Sequence, residues 1–238
     1  MKTITTIVAA LPLLLLLGCS NPAREVPGAS VAAPTNSTAA ATTTPEPGGL
    51  PFAFGPTSAT IDFIGSKVTG RHNGGFRNFA GEFKVTDGHL ADTGNKIVID
   101  MSSTWADNER VGGHLKSPDF FNVGQFPTAT FESISIAPKS TNFLVTGNLT
   151  LHGVTKEISF PAQIKVEDGG VTVGAGFFIN RFDFGIQYPG KANDLVRKEV
   201  VLRLAVKATP GKADFAAIQP TAAAARAPRA APPRPPSR

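Results

Sequence analysis

An all-β fold is predicted by two features of the sequence, alternating apolar and polar residues and the turn residues between them. Four segments in the second half keep an apolar residue at every second position, namely 143–151, 158–166, 171–179 and 200–206. This period of two is typical of antiparallel strands that bury one face. Four earlier segments alternate less regularly, namely 60–71, 76–87, 96–105 and 128–136. The pattern therefore predicts about eight strands.

Turn residues separate several of these segments, at 72–75, 87–88, 152–153 and 168–170. Gly, Asn and Asp are favoured there because they accept the backbone angles of tight turns. Eight antiparallel strands can close into a barrel, which removes both sheet edges and leaves room for one small ligand. A sandwich of two sheets has the same periodicity, so the pattern alone leaves both architectures open.

Two long connections interrupt the strand pattern. Residues 106–121 lack alternation and predict one or two short helical turns, the second with Ser117 as N-cap and Pro118 in the first helical position. The other connection spans 180–199. Long loops in a small domain are often functional, and we expect both connections to flank the mouth of a cavity.

The amino terminus has the pattern of an export signal. Lys2 is followed by an apolar run at 7–17, which is shorter than the roughly 20 residues that a membrane-spanning helix needs. The run ends in Leu16-Leu17-Gly18-Cys19, which resembles the signal of bacterial lipoproteins. The resemblance implies that residues 1–18 are removed as a signal peptide and that the Cys19 sulfur carries a lipid.

An ordinary secreted protein with a cysteine in its leader is the alternative. Cys19 is the only cysteine, so no intramolecular disulfide can form and a hydrophobic core must stabilise the exported chain. Ser20 after the cysteine favours the outer over the inner membrane, and we expect a periplasmic protein attached to the membrane through the lipid.

Composition divides the rest of the chain into a tether, one domain and a tail. Residues 19–50 are rich in Ala, Thr and Pro, which predicts a disordered tether with a reach on the order of 30 Å. Residues 51–215 suit one barrel domain, and the Ala/Pro/Arg-rich stretch 216–238 is predicted to be disordered. The net charge of +5 belongs mainly to this tail. The role of the tail stays open. The domain has no basic stripe with interleaved aromatics, so nucleic-acid binding is not expected.

Three sequence blocks carry a family resemblance, at 113–123 (GHLKSPDFFNV), 126–131 (FPTATF) and 145–156 (VTGNLTLHGVTK). Their order and spacing resemble the YceI-type family of bacterial exported proteins, with the resemblance covering 60–208. It implies a lipocalin-like, eight-stranded antiparallel β-barrel with one or two short helical turns. It also implies that an apolar internal channel holds an amphiphile, typically a polyisoprenoid, and that the protein can form a homodimer.

The aromatic residues are the candidates for the wall of such a channel. The chain has 17 Phe but only one Trp and one Tyr, and phenylalanine offers a large apolar area without a polar tip. The same side chains would also serve as core filling in a barrel without a ligand. The candidate wall residues are Phe83, Trp105, Phe120, Phe121, Phe126, Phe131, Phe143, Leu149, Phe160, Phe177 and Phe182.

Five basic residues in or beside the long connections are candidates for holding a polar or pyrophosphate headgroup, through charge-assisted hydrogen bonds. They are Arg110, His114, Lys116, Arg181 and Lys191. The alternative is that Arg110 and His114 cap turns or pair with Asp107, Glu109 or Asp119.

Motifs of catalysis and of metal binding are not found in the sequence. The four histidines are scattered, and there is no nucleophile elbow, P-loop or dinucleotide fingerprint. We therefore expect no enzyme, no metal and no cofactor other than a non-covalent lipid. The expected function is to sequester or carry a long-chain amphiphile, and the alternative is an interaction or stress-associated lipoprotein whose barrel is a filled scaffold.

Overall fold

The strands form a closed, eight-stranded antiparallel barrel in the computed structural model, which describes residues 21–34, 49–167 and 169–218. The barrel prediction is thus confirmed, and the sandwich is excluded. The predicted signal peptide 1–18 and Cys19 lie outside the described residues. Within the described ranges, no helix has the length and apolar character needed to cross a bilayer.

In the part of the chain that the structure describes, fourteen strands and one α-helix follow one another. The strands are β1 (Ser30–Ala32), β2 (Leu50–Phe54), β3 (Ala59–Lys67), β4 (Arg71–Phe76), β5 (Phe79–Thr86), β6 (His89–Leu90), β7 (Lys96–Asp100), β8 (Thr104–Ala106), β9 (Thr128–Lys139), β10 (Asn142–Leu151), β11 (Val154–Glu167), β12 (Gly170–Asn180), β13 (Gly190–Lys191) and β14 (Asp194–Pro210). Helix α1 spans Glu109–Lys116, and 3-10 helices span Pro22–Glu25, Met101–Ser103, Arg181–Phe184 and Ala216–Ile218.

Three of the eight barrel strands are interrupted, so that two consecutive strands of the chain together make one bent barrel strand. These pairs are β2 with β3, β4 with β5, and β7 with β8. The order around the barrel continues through β9, β10, β11 and β12 to β14, which closes it against β3 and β2. All of these neighbours pair antiparallel.

The two ends of the barrel differ. One end, which we call the mouth, carries the β3–β4 turn, α1, the β10–β11 turn and the connection from β12 to β14. The opposite end, which we call the floor, carries the loop 91–95 between β6 and β7. Asn95 holds this loop, because its side-chain amide donates to the Ala91 carbonyl at 2.6 Å and to Ser133 Oγ at 2.9 Å.

The predicted turn at 72–75 is wrong, since these residues lie inside β4. Gly74 and Gly75 serve close strand packing instead. A Cβ on Gly74 would stand 2.4 Å from the Phe63 ring and 2.5 Å from the Trp105 carbonyl oxygen. The turns at 87–88 and 152–153 are confirmed, with positive φ at each residue.

A single turn rather than a second helix follows Ser117, since Ser117 Oγ accepts a hydrogen bond from the Asp119 amide at 3.3 Å and the Ser117 carbonyl accepts one from the Phe120 amide at 3.1 Å. Ser117 is the C-cap of α1, and the N-cap is Asn108, whose side chain accepts a hydrogen bond from the Val111 amide. Beyond Ser117 the chain turns back, because the Phe121 amide donates to the Leu115 carbonyl at 3.0 Å.

Residues 21–34, which we call the N-terminal strap, are bound to the barrel and correct the prediction of a free tether over 19–50. Strand β1 pairs with β11. The Ala29 amide donates to the Phe178 carbonyl at 2.8 Å, so the strap fills the space between β11 and β12. Residues 35–48 lie outside the described residues.

Small apolar side chains attach the start of this strap. Ala23 is buried against Ile64 of β3 and Val201 of β14 on the outside of the barrel. The composition of 19–50 did not predict this, because a few well-placed apolar contacts together with backbone hydrogen bonds are enough to order a short segment on a preformed surface.

The carboxyl end of the described chain corrects the boundary between the domain 51–215 and the tail 216–238. Ile218 is buried against Ala80 and Val98 on the outer face of β5 and β7. The packed part of the chain therefore extends at least to Ile218, and residues 219–238 lie outside the described residues.

Candidate ligand-binding site

An apolar cavity of about 500 Å³ opens at the mouth of the barrel. We call it the upper cavity. Its walls come from inward-facing residues of β3, β7, β10, β12 and β14, and its rim from α1 and the β12–β14 connection. Apolar wall residues include Ile61, Phe63, Phe76, Ile99, Met101, Phe121, Leu149, Ile179, Ile186, Val200 and Leu202.

A second, smaller void of about 110 Å³ lies toward the floor. We call it the lower void. Packed aromatic rings form part of its wall. Phe160 and Phe177 stack with ring centroids 4.1 Å apart, and the Phe131 ring lies 5.7 Å from that of Phe160. Four side chains border both spaces and separate them: Ile61, Ile99, Leu149 and Leu202.

Three phenylalanines form an aromatic cluster in the upper cavity. Phe63 lies 5.7 Å from Phe76 and 6.4 Å from Phe121 between ring centroids, and Phe76 lies 6.3 Å from Phe121. Phe121 reaches this cluster because the loop after α1 folds back over the barrel. The loop thus supplies part of the cavity wall.

A second aromatic cluster surrounds the opening. His114 meets the rings of Phe120 at 5.1 Å and Tyr188 at 4.9 Å, and these two rings lie 5.0 Å apart. His114 Nε2 also contacts Asp119 Oδ2 at 2.7 Å, as one of the sequence alternatives had it. These residues join α1 to the β12–β14 connection across the rim.

Arg181 is a structural brace of the rim. It is 3% exposed, and its guanidinium donates to the backbone carbonyls of Ile186, Tyr188, Val196 and Arg197. Burial lowers the pKa of this guanidinium from its ordinary value. Since four of its five N–H donors are engaged, Arg181 holds the β12–β14 connection in place and has little capacity left for a headgroup.

The other predicted headgroup residues are placed differently. Arg110 and Lys191 line the upper cavity and are exposed at its rim, whereas Lys116 does not line it. Two cations that the sequence did not single out, Lys67 and Arg197, also line the cavity. The upper cavity therefore combines an apolar interior with several basic side chains at its rim.

The predicted wall residues divide into three groups. Phe120, Phe121 and Leu149 line the upper cavity, while Phe83, Phe131, Phe160 and Phe177 line the lower void together with Leu149. Trp105, Phe126, Phe143 and Phe182 line neither space.

The rings of Trp105 and Phe126 have other partners. The Trp105 ring lies 5.8 Å from the Arg77 guanidinium, and the Phe126 ring packs on His152 at 4.6 Å. Phe182 is 42% exposed.

Several wall residues escaped the sequence prediction. Ile179, Val200 and Leu202 belong to the apolar phase of clearly alternating segments, so the pattern contained their signal. Phe63 and Phe76 lie in segments of weak alternation, and Tyr188 lies in a long loop. Among the residues that the structure describes, no group of three His, Cys, Asp or Glu could hold a metal ion.

An antiparallel barrel with an apolar cavity open at one end is an architecture that can enclose one small ligand. Residues 52–208 match the YceI-like domain, and the chain belongs to the YceI-like family.

Relatives and solved structures agree with this family. A UPF0312 protein of Vibrio parahaemolyticus is 36% identical over 104 residues, which are 43% of this chain and 51% of that protein. The match thus spans about half of that relative. A UPF0312 protein of Pseudomonas putida is 35% identical over 139 residues, which are 54% of this chain and 70% of that protein.

Two solved structures share the fold. BcnA of Burkholderia cenocepacia has a TM-score of 0.58 at 23% identity, covering 63% of this chain and 96% of that chain. A polyisoprenoid binding domain from Saccharophagus degradans has a TM-score of 0.55 at 14% identity, covering 69% of this chain and all of that domain (100%).

Proposed function

We propose that this protein binds a long-chain amphiphile of the polyisoprenoid type in the upper cavity and sequesters or carries it at the periplasmic membrane surface. The single observation that carries the proposal is the apolar cavity of about 500 Å³ that opens at the mouth. This volume lies within the roughly 300–1,000 Å³ of typical ligand sites.

The apolar part of the ligand would occupy the cavity interior. Burial of apolar surface stabilises a complex by about 25 cal/mol per Å², and the cluster of Phe63, Phe76 and Phe121 offers a wall without hydrogen-bonding groups. The Saccharophagus degradans domain, whose name states polyisoprenoid binding, supports this ligand class through its shared fold.

The polar end of the ligand would remain at the rim. Arg110 and Lys191 are exposed cations on two different elements of the opening, α1 and β13. Charge-assisted hydrogen bonds from such groups to an oxyanion are strong. Arg181 would act indirectly, by fixing the connection that carries Lys191.

Membrane attachment would come from a lipid on Cys19, with the outer membrane favoured over the inner. Several acyl chains on one cysteine hold a protein stably at a membrane, whereas one chain does so marginally. Mass analysis of the mature amino terminus tests this directly, since an unmodified Cys19 would rule the anchor out. The homodimer implied by the family resemblance also stays a prediction.

A filled scaffold that acts through protein contacts is the second candidate. The floor half supports it, because stacked aromatics there leave a void of only about 110 Å³. The upper cavity favours the carrier, because its walls are mainly apolar and basic side chains lie at its rim. We therefore propose binding rather than catalysis.

The experiment compares two tryptophan substitutions on β14. Val200 lines the upper cavity, whereas Arg203 is exposed on the outer face. Val200→Trp is expected to fill the cavity and abolish binding of a fluorescent polyprenyl phosphate, and Arg203→Trp is expected to bind like the unmodified protein. Overpacking costs about 1–3 kcal/mol, so thermal unfolding checks that both variants fold. Equal binding by both folded variants would refute the cavity as the ligand site.

A further inference from the structure

Exposed apolar side chains are concentrated at the mouth of the barrel. Among the described residues, four large apolar side chains are exposed: Leu50 at 70%, Val68 at 52%, Phe182 at 42% and Leu195 at 51%. Val68 lies in the β3–β4 turn, Leu195 at the start of β14 and Phe182 in the 3-10 helix after β12. Only Leu50 lies toward the floor, where it pairs with Val85.

Val68, Phe182 and Leu195 form what we call the mouth patch, and its elements are held in place. The Val68 amide donates to the Leu195 carbonyl at 3.2 Å. The Asp194 carboxylate binds Lys67 and the Thr69 amide, which joins the same two loops a second time. Val68 and Leu195 are thus held beside each other at the opening, and Phe182 lies at the same end of the barrel.

Basic side chains accompany the mouth patch. Arg71 and Lys198 each lie three residues from Val68 or Leu195, and Lys191 lies four residues before Leu195. All three side chains are exposed. Apolar tips surrounded by Lys and Arg are typical of surfaces that bind the interface of an anionic bilayer.

The amino-terminal end of the described chain lies on the same side of the barrel. Ala23 packs on Ile64 of β3 and on Val201 of β14, the two strands whose ends carry Val68 and Leu195. Cys19 precedes Asn21 by two residues, and two residues span at most about 7 Å. A lipid on Cys19 would therefore enter the bilayer close to this flank.

We infer that the mouth patch docks on a phospholipid bilayer, so that the upper cavity opens toward the membrane. The inference rests on the proposed function for the identity of the cargo and for the anchor. It adds an orientation: the apolar tips insert among the headgroups, and a long-chain ligand passes between bilayer and cavity without crossing water. The strap makes the distance between barrel and membrane short.

A single-tryptophan experiment on the full chain tests the orientation. Trp105 is the only tryptophan, so Trp105→Phe removes the background emission. Leu195→Trp in this background reports on the mouth patch, Val68→Trp is a second reporter for the same surface, and Leu50→Trp is the matched control at the floor. Each protein is incorporated into vesicles of phosphatidylcholine and phosphatidylglycerol with brominated acyl chains, which quench tryptophan on contact.

We expect a several-fold larger loss of emission for Leu195→Trp and Val68→Trp than for Leu50→Trp. Equal quenching at all three positions would overturn the inference. The inference would also be overturned if the tryptophan emission showed the mouth reporters to be buried without vesicles and light scattering showed a dimer. The patch would then be assigned to a second copy of the chain.

Failure of the inference is distinguishable from failure of the proposed function. Lipid extracted from the purified protein reports on the cavity alone. Bound lipid without quenching at the mouth would leave the carrier intact and refute the docking surface. Quenching at the mouth without any bound lipid would refute the carrier and retain the docking surface.

Discussion

Asp194 accepts a hydrogen bond from Lys67 Nζ at 2.5 Å, and this contact joins the end of β3 to the start of β14 at the rim of the cavity. The same carboxylate accepts a hydrogen bond from the Thr69 amide at 3.1 Å. One side chain thus fixes the turn that carries Val68 against the strand that carries Leu195. The rim of the opening is held by this contact on one side and by Arg181 on the other.

Removing the Asp194 charge should loosen the β3–β4 turn. We expect Asp194→Asn to increase hydrogen exchange of the Val68 amide, whose hydrogen bond to Leu195 depends on this arrangement. The hydrogen bond from Lys67 and those from Thr69 hold the pKa of Asp194 below its ordinary value of 3.8. Their contribution is present above that pH and is lost as the pH falls through the lowered pKa. Unchanged exchange in Asp194→Asn, with Asp183→Asn as control, would contradict this role.

Leu149 should limit the length of the ligand, because it separates the upper cavity from the lower void. Leu149→Ala is expected to join the two spaces and to shift the bound lipid toward longer chains, at a cost of about 2 kcal/mol in the free energy of unfolding. Leu151→Ala is the matched control, because it removes the same atoms from a residue that lines only the upper cavity. Mass spectrometry of the extracted lipid is the measurement, and identical chain lengths in both variants would argue against a divider.

The buried ion pair of Glu82 and Lys84 should make the packing of the carboxyl end pH-dependent. Lys84 Nζ lies 2.8 Å from Glu82 Oε1, and Glu82 Oε2 accepts a hydrogen bond from the Ala213 amide at 2.8 Å. Burial opposes ionisation, but the hydrogen bonds from Lys84 and Ala213 outweigh it, and the pKa of Glu82 lies below its ordinary 4.5. The stabilisation is therefore full above about pH 4.5 and is lost as the pH falls through the lowered pKa.

Acid unfolding of the unmodified protein and of Glu82→Gln measures this contribution. We expect the difference in stability between the two proteins to be largest near neutral pH and to shrink on acidification. Glu132→Gln is the control, because its pair with Lys96 is exposed and surface pairs contribute little. A difference that stays constant with pH would show that Glu82 acts through packing alone.

The N-terminal strap should detach when its buried end is made polar. Ala23→Asp places a carboxylate against Ile64 and Val201, and an unpaired charge is not tolerated in such a contact. We expect proteases to cleave near residues 21–34 much faster in this variant. Arg24→Asp introduces the same side chain at an exposed position and should leave cleavage unchanged. Equal resistance in both variants would mean that the strap is held by β1 alone.

Much of the barrel could be predicted because its later strands bury one face. The alternation at 171–179 and 200–206 placed Ile179 and Leu202 on the apolar face that the structure turns inward. The first half was harder to predict, since Gly74 packs closely against Phe63 and the Trp105 carbonyl, and Gly75 against the Ile61 carbonyl and the Asp62 carboxylate. Glycine has the same identity in a turn and in a crowded strand, so local sequence could not separate the two.

The site was predicted in part for a similar reason. Apolar periodicity identifies a buried face, but not whether the space behind it is filled or empty. Phe160 and Phe177 lie on the same kind of face as Ile179, and their stacking fills the floor half. Arg181 was assigned to a headgroup because it is basic and lies in a loop. Only the fold shows that backbone carbonyls surround its guanidinium.

The central claim is that the upper cavity holds a long-chain amphiphile. Native mass spectrometry of the full chain, purified from its own host without detergent exchange and followed by organic extraction, tests it most directly. We expect a reproducible added mass that extraction recovers as a long-chain lipid, and we expect this mass to be absent from Val200→Trp prepared in parallel. Unmodified protein that is repeatedly free of any added mass would contradict the account.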